Sequence, residues 1–210
     1  GEGEKVQVKV VWLMGGHSGA EIDKNRANAN KLMGRFLYGL KKKAEYALIS
    51  LTGGQKDNAI TRECTAEFLT DSVAEVKAYA KELQEQLREE YTGSDENITF
   101  EITEKGTATA EVLHPTSQEK IVFYLQNVPF GIQKMSGTIK GLVETSSNIG
   151  ILRLDRDELF ASSSVRSSVD AACSALSDKI EYLTEFLGGD YEVQGAYPAW
   201  EYRKESPLTR

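Results

Sequence analysis

Two rhythms take turns along this chain, a period of two and a period near 3.6, and their order is what most limits the fold. Val6, Val8 and Val10 fall on one side of a strand predicted over Lys5 to Leu13, which ends at Gly15-Gly16. Leu32, Met33, Phe36, Leu37 and Leu40 then recur at helical spacing. Strands predicted over Tyr46 to Leu51 and Ile60 to Thr70 make a hairpin across the turn-rich Thr52-Gly53-Gly54-Gln55-Lys56-Asp57-Asn58. Ser72 with Glu75 has the pattern of a capping box, opening a helix whose stripe is Val73, Val76, Ala80, Leu83 and Leu87. That helix runs to about Glu90 and stops at Gly93-Ser94-Asp95. Ile98 to Thr103 and Thr107 to Leu113 predict another hairpin around Lys105-Gly106, followed by a short helix from Ser117 to about Asn127.

Residues 128–200 echo this order. After Val128-Pro129-Phe130-Gly131, strands are predicted over Thr138 to Leu154 and Leu159 to Ser167, joined at Asp155-Arg156-Asp157. Asp170 is placed to cap a helix with the apolar face Ala172, Cys173, Leu176, Ile180, Leu183 and Leu187, which Gly188-Gly189 ends before a strand from Tyr191 to Ala196. Hairpin-paired strands with helices on one side predict an α+β fold. Its form is one antiparallel β-sheet with helices packed on one face, made of two related ferredoxin-like β-α-β units in the halves 1–127 and 128–200. The helices of residues 72–90 and 170–187 then share a face. Thr145-Ser146-Ser147-Asn148 and Ser162-Ser163-Ser164 are too polar for a dry core and too weakly charged for an ordinary solvated face. A wet sheet surface is the commoner explanation; a face that closes over a polar ligand is the other.

With 210 residues, such a chain buries about 70% of its unfolded surface and needs neither metal nor disulfide to fold. A net charge of −7 and a pI near 5.1 exclude a sequence-independent grip on nucleic-acid phosphates. The one basic run, Lys41-Lys42-Lys43, ends a predicted helix and complements its dipole. Cys64 and Cys173 lack any metal-type spacing and read as small buried hydrophobes, with a reducing, cytoplasmic setting as the default. No stretch is apolar enough for a membrane span, and Gly1-Glu2-Gly3-Glu4 does not open a signal peptide.

Self-contained hydrolytic chemistry needs an activated nucleophile or a metal-bound water. The chain has only His17 and His114, and no HExxH, GxSxG, Walker loop or GxGxxG unit. His114 precedes Pro115 and reads as surface decoration. His17 sits in Met14-Gly15-Gly16-His17-Ser18-Gly19-Ala20, where flanking glycines let the backbone pass close to a partner. An imidazole at such a turn can donate to an anionic oxygen, yet a tight strand-to-helix loop with an exposed His explains the same residues.

Gly15-Gly16-His17-Ser18-Gly19-Ala20-Glu21-Ile22, followed by Asn25-Arg26-Ala27-Asn28-Ala29-Asn30-Lys31-Leu32, closely resembles the lid entry of aminoacyl-histidine dipeptidases, also called peptidase D. Gly53-Gly54 with Asp57-Asn58-Ala59-Ile60-Thr61-Arg62-Glu63 is similar to another stretch of that family, with Thr61 where Pro is common and Asp57 where Arg is. The likeness continues through Met135-Ser136-Gly137, Val143-Glu144-Thr145-Ser146-Ser147-Asn148-Ile149-Gly150, Ser164-Val165-Arg166-Ser167-Ser168 and Gly195-Ala196-Tyr197-Pro198-Ala199-Trp200.

The resemblance implies a lid and dimerisation domain over residues 1–210, with Gly1 a cloning remnant. The catalytic half, with two zinc ions and a Glu general base, is absent from these residues. It implies that the lid supplies no metal ligand and caps an Xaa-His-type dipeptide. His17 then meets the tetrahedral oxyanion in the active site of the neighbouring subunit of a homodimer, while Asn58 and Arg166 hold the substrate's C-terminal carboxylate. Implied partners are the dipeptide, the chain's own catalytic domain and a second copy, in the cytoplasm, with no nucleic acid and no membrane. A stand-alone α+β ligand-binding module, or a pure dimerisation scaffold, is the alternative left by the residues alone.

Overall fold

Valine on every second position of the first strand decides which side of the sheet is dry. The computed structural model describes residues 1–156, 158–197, 201–205 and 208–209. Strands β1 (Glu2–Val11), β3 (Tyr46–Gly53), β5 (Cys64–Thr70), β8 (Val143–Asp155) and β9 (Glu158–Ser167) lie side by side and antiparallel. Their register lines up Val8, Ala66, Leu51, Leu154 and Leu159 in one row, and Val10, Cys64, Gly53, Leu152 and Ala161 in the next. The side chains of both rows are buried on one face, where they share a core with the helices. On the other face of β1 and β5, Lys5 and Lys105 flank Glu67 and Lys9 meets Glu63.

The full strand order is β10-β11-β9-β8-β3-β5-β1-β6, where β6 is Thr99–Thr109, β10 Glu192–Tyr197 and β11 Glu201–Glu205. Short strands β7 (Gly131–Met135) and β12 (Leu208–Thr209) pair with β8 and β9. Outside this sheet, β2 (Gly16–His17) and β4 (Ala59–Ile60) form a separate two-stranded ribbon.

Helices α1 (Ala29–Leu40), α2 (Val73–Glu90), α3 (Pro115–Asn127) and α4 (Asp170–Phe186) make one layer. Phe36, Leu83, Leu125 and Leu187 join a single cluster with the sheet valines, and Cys173, Leu176 and Ile180 of α4 continue it over Val165. Helices α2 and α4 thus share a face, as the sequence predicts. Within the first half, β5 lies between β1 and β3, the strands α1 connects, which is a split β-α-β unit. The second half gives β8-β9-β11-β10 in the same relation, but supplies last the strand that the first half supplies first.

Several local expectations are corrected. Residues 98–113 are not a hairpin: β6 runs straight through Gly106, where φ is +79° and the pairing with β1 slips between Glu4 and Val6. Gly106 therefore makes a bulge, because β1 offers a full-length partner that a hairpin would forgo. Ser72 stands before α2 without capping it; the Thr70 hydroxyl accepts from the Ser72 amide instead, 3.0 Å away. Asp170 is the first helical residue of α4 rather than its cap, and Ser167 Oγ accepts from Val169 N at 3.1 Å. His114 is not idle decoration, since its Nδ1 accepts from Thr116 N and caps α3. The predicted strand from Thr138 begins only at Val143, and the preceding β7 has no clear alternation to announce it. Cys64 and Cys173 are both buried, and burial pushes the Cys64 thiol up. Asp157 and Pro198-Ala199-Trp200 lie outside the described residues.

Candidate functional site

The Ser/Thr-rich strands are neither wet nor open. Thr145 to Asn148 and Ser162 to Ser164 are all buried, and on the face away from the helices Asn148 and Ser164 bond two overlying loops. Asn148 Nδ2 donates to the carbonyls of Asp57 and Ala59, at 3.1 and 2.8 Å, while Ser164 Oγ donates to the Asp57 carbonyl at 3.0 Å. Ser18 N donates to the Asn58 carbonyl at 2.9 Å, and its hydroxyl lies 3.4 Å from that of Ser164. Three successive carbonyls around Asn58 are thereby occupied, which fixes the backbone that presents its side chain. Asn148 and Ser164 thus hold the loops down, a use the one-dimensional pattern does not reveal.

Asn148 has a further partner: its Oδ1 accepts from Asn28 Nδ2 at 3.0 Å, and Asn28 Oδ1 in turn caps α1. Replacing Asn148 by Ala removes the donor to the Ala59 carbonyl and the acceptor of one Asn28 N–H, while Ser164 still serves the Asp57 carbonyl, so a loss of about 1–3 kcal/mol in unfolding free energy is expected, measurable by urea titration.

His17 sits on β2, paired with Ala59 of β4, and is exposed. Its Nδ1 accepts from the backbone amides of Gly19 and Ala20, at 3.0 and 3.1 Å. A ring nitrogen receiving two N–H groups carries no proton of its own, so in the neutral ring Nε2 is the donor. Glu21 buttresses the turn: its carboxylate accepts from His17 N at 3.1 Å and from Arg26, whose guanidinium also donates to the Gly15 carbonyl at 2.7 Å. The His17 amide first, and Arg26 second, hold the Glu21 carboxyl below its usual 4.5. A lowered value in the folded state means that this support is present above pH 4.5 and is lost as pH falls through the folded value. Loss of protection of the His17 amide, read as its exchange rate relative to the intrinsic rate at the same pH, is expected on that acid side, with little change at neutral pH.

Arg166, half-buried on β9, packs its guanidinium against Gly19, so closely that a methyl group there would overlap it. A side chain at position 19 would therefore have to displace the Arg166 guanidinium from the His17 turn. His17 and Asn58 are joined through the β2–β4 ribbon and Ser18, and Arg166 lies beneath the same turn. All three residues singled out from the sequence come together on the side of the sheet opposite the helices. What they offer is an imidazole N–H, a primary amide and a guanidinium, a donor set suited to anionic oxygen.

Sequence reasoning missed Ser18, Ser164, Asn148 and Asp95 as the supports of these groups. Their partners are far away in the chain, and no local spacing announces them. Among the described residues, no group of three or more His, Cys, Asp or Glu side chains is placed to hold a metal ion. No helix among the described residues is long and apolar enough to cross a membrane.

Known proteins resemble this chain in sequence and fold. Residues 12–95 match the family model described as the peptidase dimerisation domain. The cytosol non-specific dipeptidase of Escherichia coli (strain K12) is 30% identical over 207 residues, 98% of this chain and 42% of that protein. The crystal structure of aminoacylhistidine dipeptidase from Vibrio alginolyticus superposes with a TM-score of 0.84 and 29% identity, over 94% of this chain and 40% of that one. The chain therefore spans well under half the length of either relative. Residues 12–95 thus match the peptidase dimerisation domain, and nearly every residue of the chain is similar in sequence and fold to the corresponding part of these two dipeptidases.

Proposed function

We propose that residues 1–210 are the substrate-capping lid and dimerisation domain of a cytoplasmic metallo-dipeptidase that acts on Xaa-His-type dipeptides. In this reading a catalytic domain outside these residues holds two zinc ions, which activate the attacking water when bound. The lid supplies no metal ligand. His17 donates from Nε2 to the oxygen that becomes negative as water adds to the scissile carbonyl. Asn58 and Arg166 receive the C-terminal carboxylate, Arg166 through the forked geometry that suits it. His17 serves the catalytic domain of the neighbouring subunit in a homodimer.

The observation that carries this reading is that the loops bearing His17 and Asn58 are bonded to each other and the Arg166 guanidinium packs against Gly19 of the same turn, over a buried polar floor. A donor cluster without nucleophile or base is what a lid needs when the chemistry belongs to another domain. Relatives named as dipeptidases support it, whereas nothing in the site favours a stand-alone sensor module. Full-length protein loaded with zinc is expected to release free His from Xaa-His dipeptides, while residues 1–210 alone neither turn over nor bind zinc more tightly than about micromolar. Zinc-loaded full-length protein without dipeptidase activity would overturn the proposal.

A further inference from the structure

The His17 turn is the middle of a loop, and both ends of that loop are tied to one buried side chain. Asp95 is 1% exposed. Its Oδ1 accepts from Met14 N and its Oδ2 from Ala27 N, each at 2.7 Å. Beside it, Ser94 Oγ donates to the Asn25 carbonyl at 2.9 Å. Residues 94–95 are themselves anchored to the end of α2, where Ser94 N and Asp95 N both donate to the Tyr91 carbonyl, at 3.0 and 2.9 Å. The loop that presents His17 therefore leaves the sheet at Met14 and enters α1 after Ala27 through a single carboxylate. Charge-assisted bonds of this length are the stronger kind, and a carboxylate is the one side chain that accepts two of them with no donor of its own.

We infer that Asp95 is a positioning residue for His17: it fixes the span of the 14–27 loop, and through that span the direction in which the imidazole Nε2–H points. This rests on the proposed role of His17 in dipeptide hydrolysis. Asp95 touches no substrate. Asparagine at this place keeps one acceptor but turns an NH2 toward the second backbone N–H, so one end of the loop is released while the volume is unchanged. A small displacement of a catalytic donor is costly in rate and nearly silent in binding.

The test is a double-mutant cycle in the full-length zinc enzyme, comparing wild type, Asp95→Asn, His17→Ala and the two changes combined, each normalised to its folded fraction by thermal melting. Asp95→Asn is expected to lower kcat by roughly tenfold with KM within about twofold, and to lower it no further once His17 is already Ala. General damage to the fold would multiply with the His17 loss. Such multiplication, or a wild-type kcat in Asp95→Asn, overturns the inference. Should Asp95→Asn not fold, Ser94→Ala, which removes the hydroxyl's contacts with the Asn25 and Tyr91 carbonyls and leaves both Asp95 bonds to the loop, is expected to show the same dependence on His17 at smaller amplitude, and independence would overturn it. If His17→Ala itself leaves kcat unchanged, it is the role of His17 that fails. Nitrogen NMR of the His17 ring then decides about Asp95 alone: Nε2–H as the dominant tautomer in wild type and a mixture of tautomers in Asp95→Asn support the inference, and an unchanged ring contradicts it.

Discussion

In the full-length enzyme, His17→Ala is expected to lower kcat by about 10²- to 10³-fold while KM stays within about twofold. The sign of that split follows from where the charge is. A substrate carbonyl is neutral when it binds and negative only as the tetrahedral intermediate forms, so a donor aimed at it is felt in the transition state and hardly at all before. The ring is prepared for that task by its own loop, because the amides of Gly19 and Ala20 occupy Nδ1 and leave Nε2 as the donor. Mixing His17→Ala chains with chains dead at the metal site is expected to restore activity in mixed dimers, as one intact composite site forms when the imidazole crosses the subunit boundary. Mixed dimers without activity would assign His17 to its own subunit.

Arg166→Ala is expected to act the other way, raising KM by roughly 10- to 100-fold, the equivalent of about 1.5–3 kcal/mol for bonds to a charged group. A carboxylate is charged from the moment of binding, and the loss therefore falls on the ground state and the transition state alike. Lowered kcat is expected only so far as the dipeptide sits out of place. Gly19→Ala should reproduce part of this effect at a distance, since a methyl group there pushes directly on the guanidinium. Steady-state kinetics of both variants, with circular dichroism to verify folding, would settle the split between KM and kcat.

Much of the fold is legible in the sequence because its periodicities are clean. The valines of β1 and the leucine stripes of α1 and α2 each name their buried face without help from the rest of the chain. Boundaries failed where a distant partner competes with a local signal. Gly106 reads as a turn, but β1 is long enough to pair with both flanks of it, and the glycine becomes a bulge. Ser72 with Glu75 reads as a capping box, but the Thr70 hydroxyl accepts from the Ser72 amide that Glu75 would otherwise take. In the candidate site, the glycines single out His17 while leaving a tight loop with an exposed His as the alternative, and Arg166 and Asn58 are singled out only through a family resemblance. The supporting shell is not legible at all. Asn148 looks like one more small polar residue on a strand, and Asp95 like the end of a helix, yet each bonds loops that are distant in sequence. Such residues answer to three-dimensional hydrogen-bond accounting, which spacing along one chain does not encode.

The claim at the centre is that this domain reads the C-terminus of a dipeptide from the side opposite its helices. The measurement closest to that claim is kcat/KM of the zinc-loaded full-length enzyme for an Xaa-His dipeptide and for the same dipeptide with its C-terminal carboxylate amidated, in wild type and in Arg166→Ala. Wild type is expected to discriminate against the amide by roughly 10- to 100-fold, and Arg166→Ala by less than about threefold, because removing the guanidinium and removing the charge it meets delete the same interaction. An Arg166→Ala enzyme that rejects the amide as strongly as wild type would contradict the claim, and would place recognition of the carboxylate elsewhere in the enzyme.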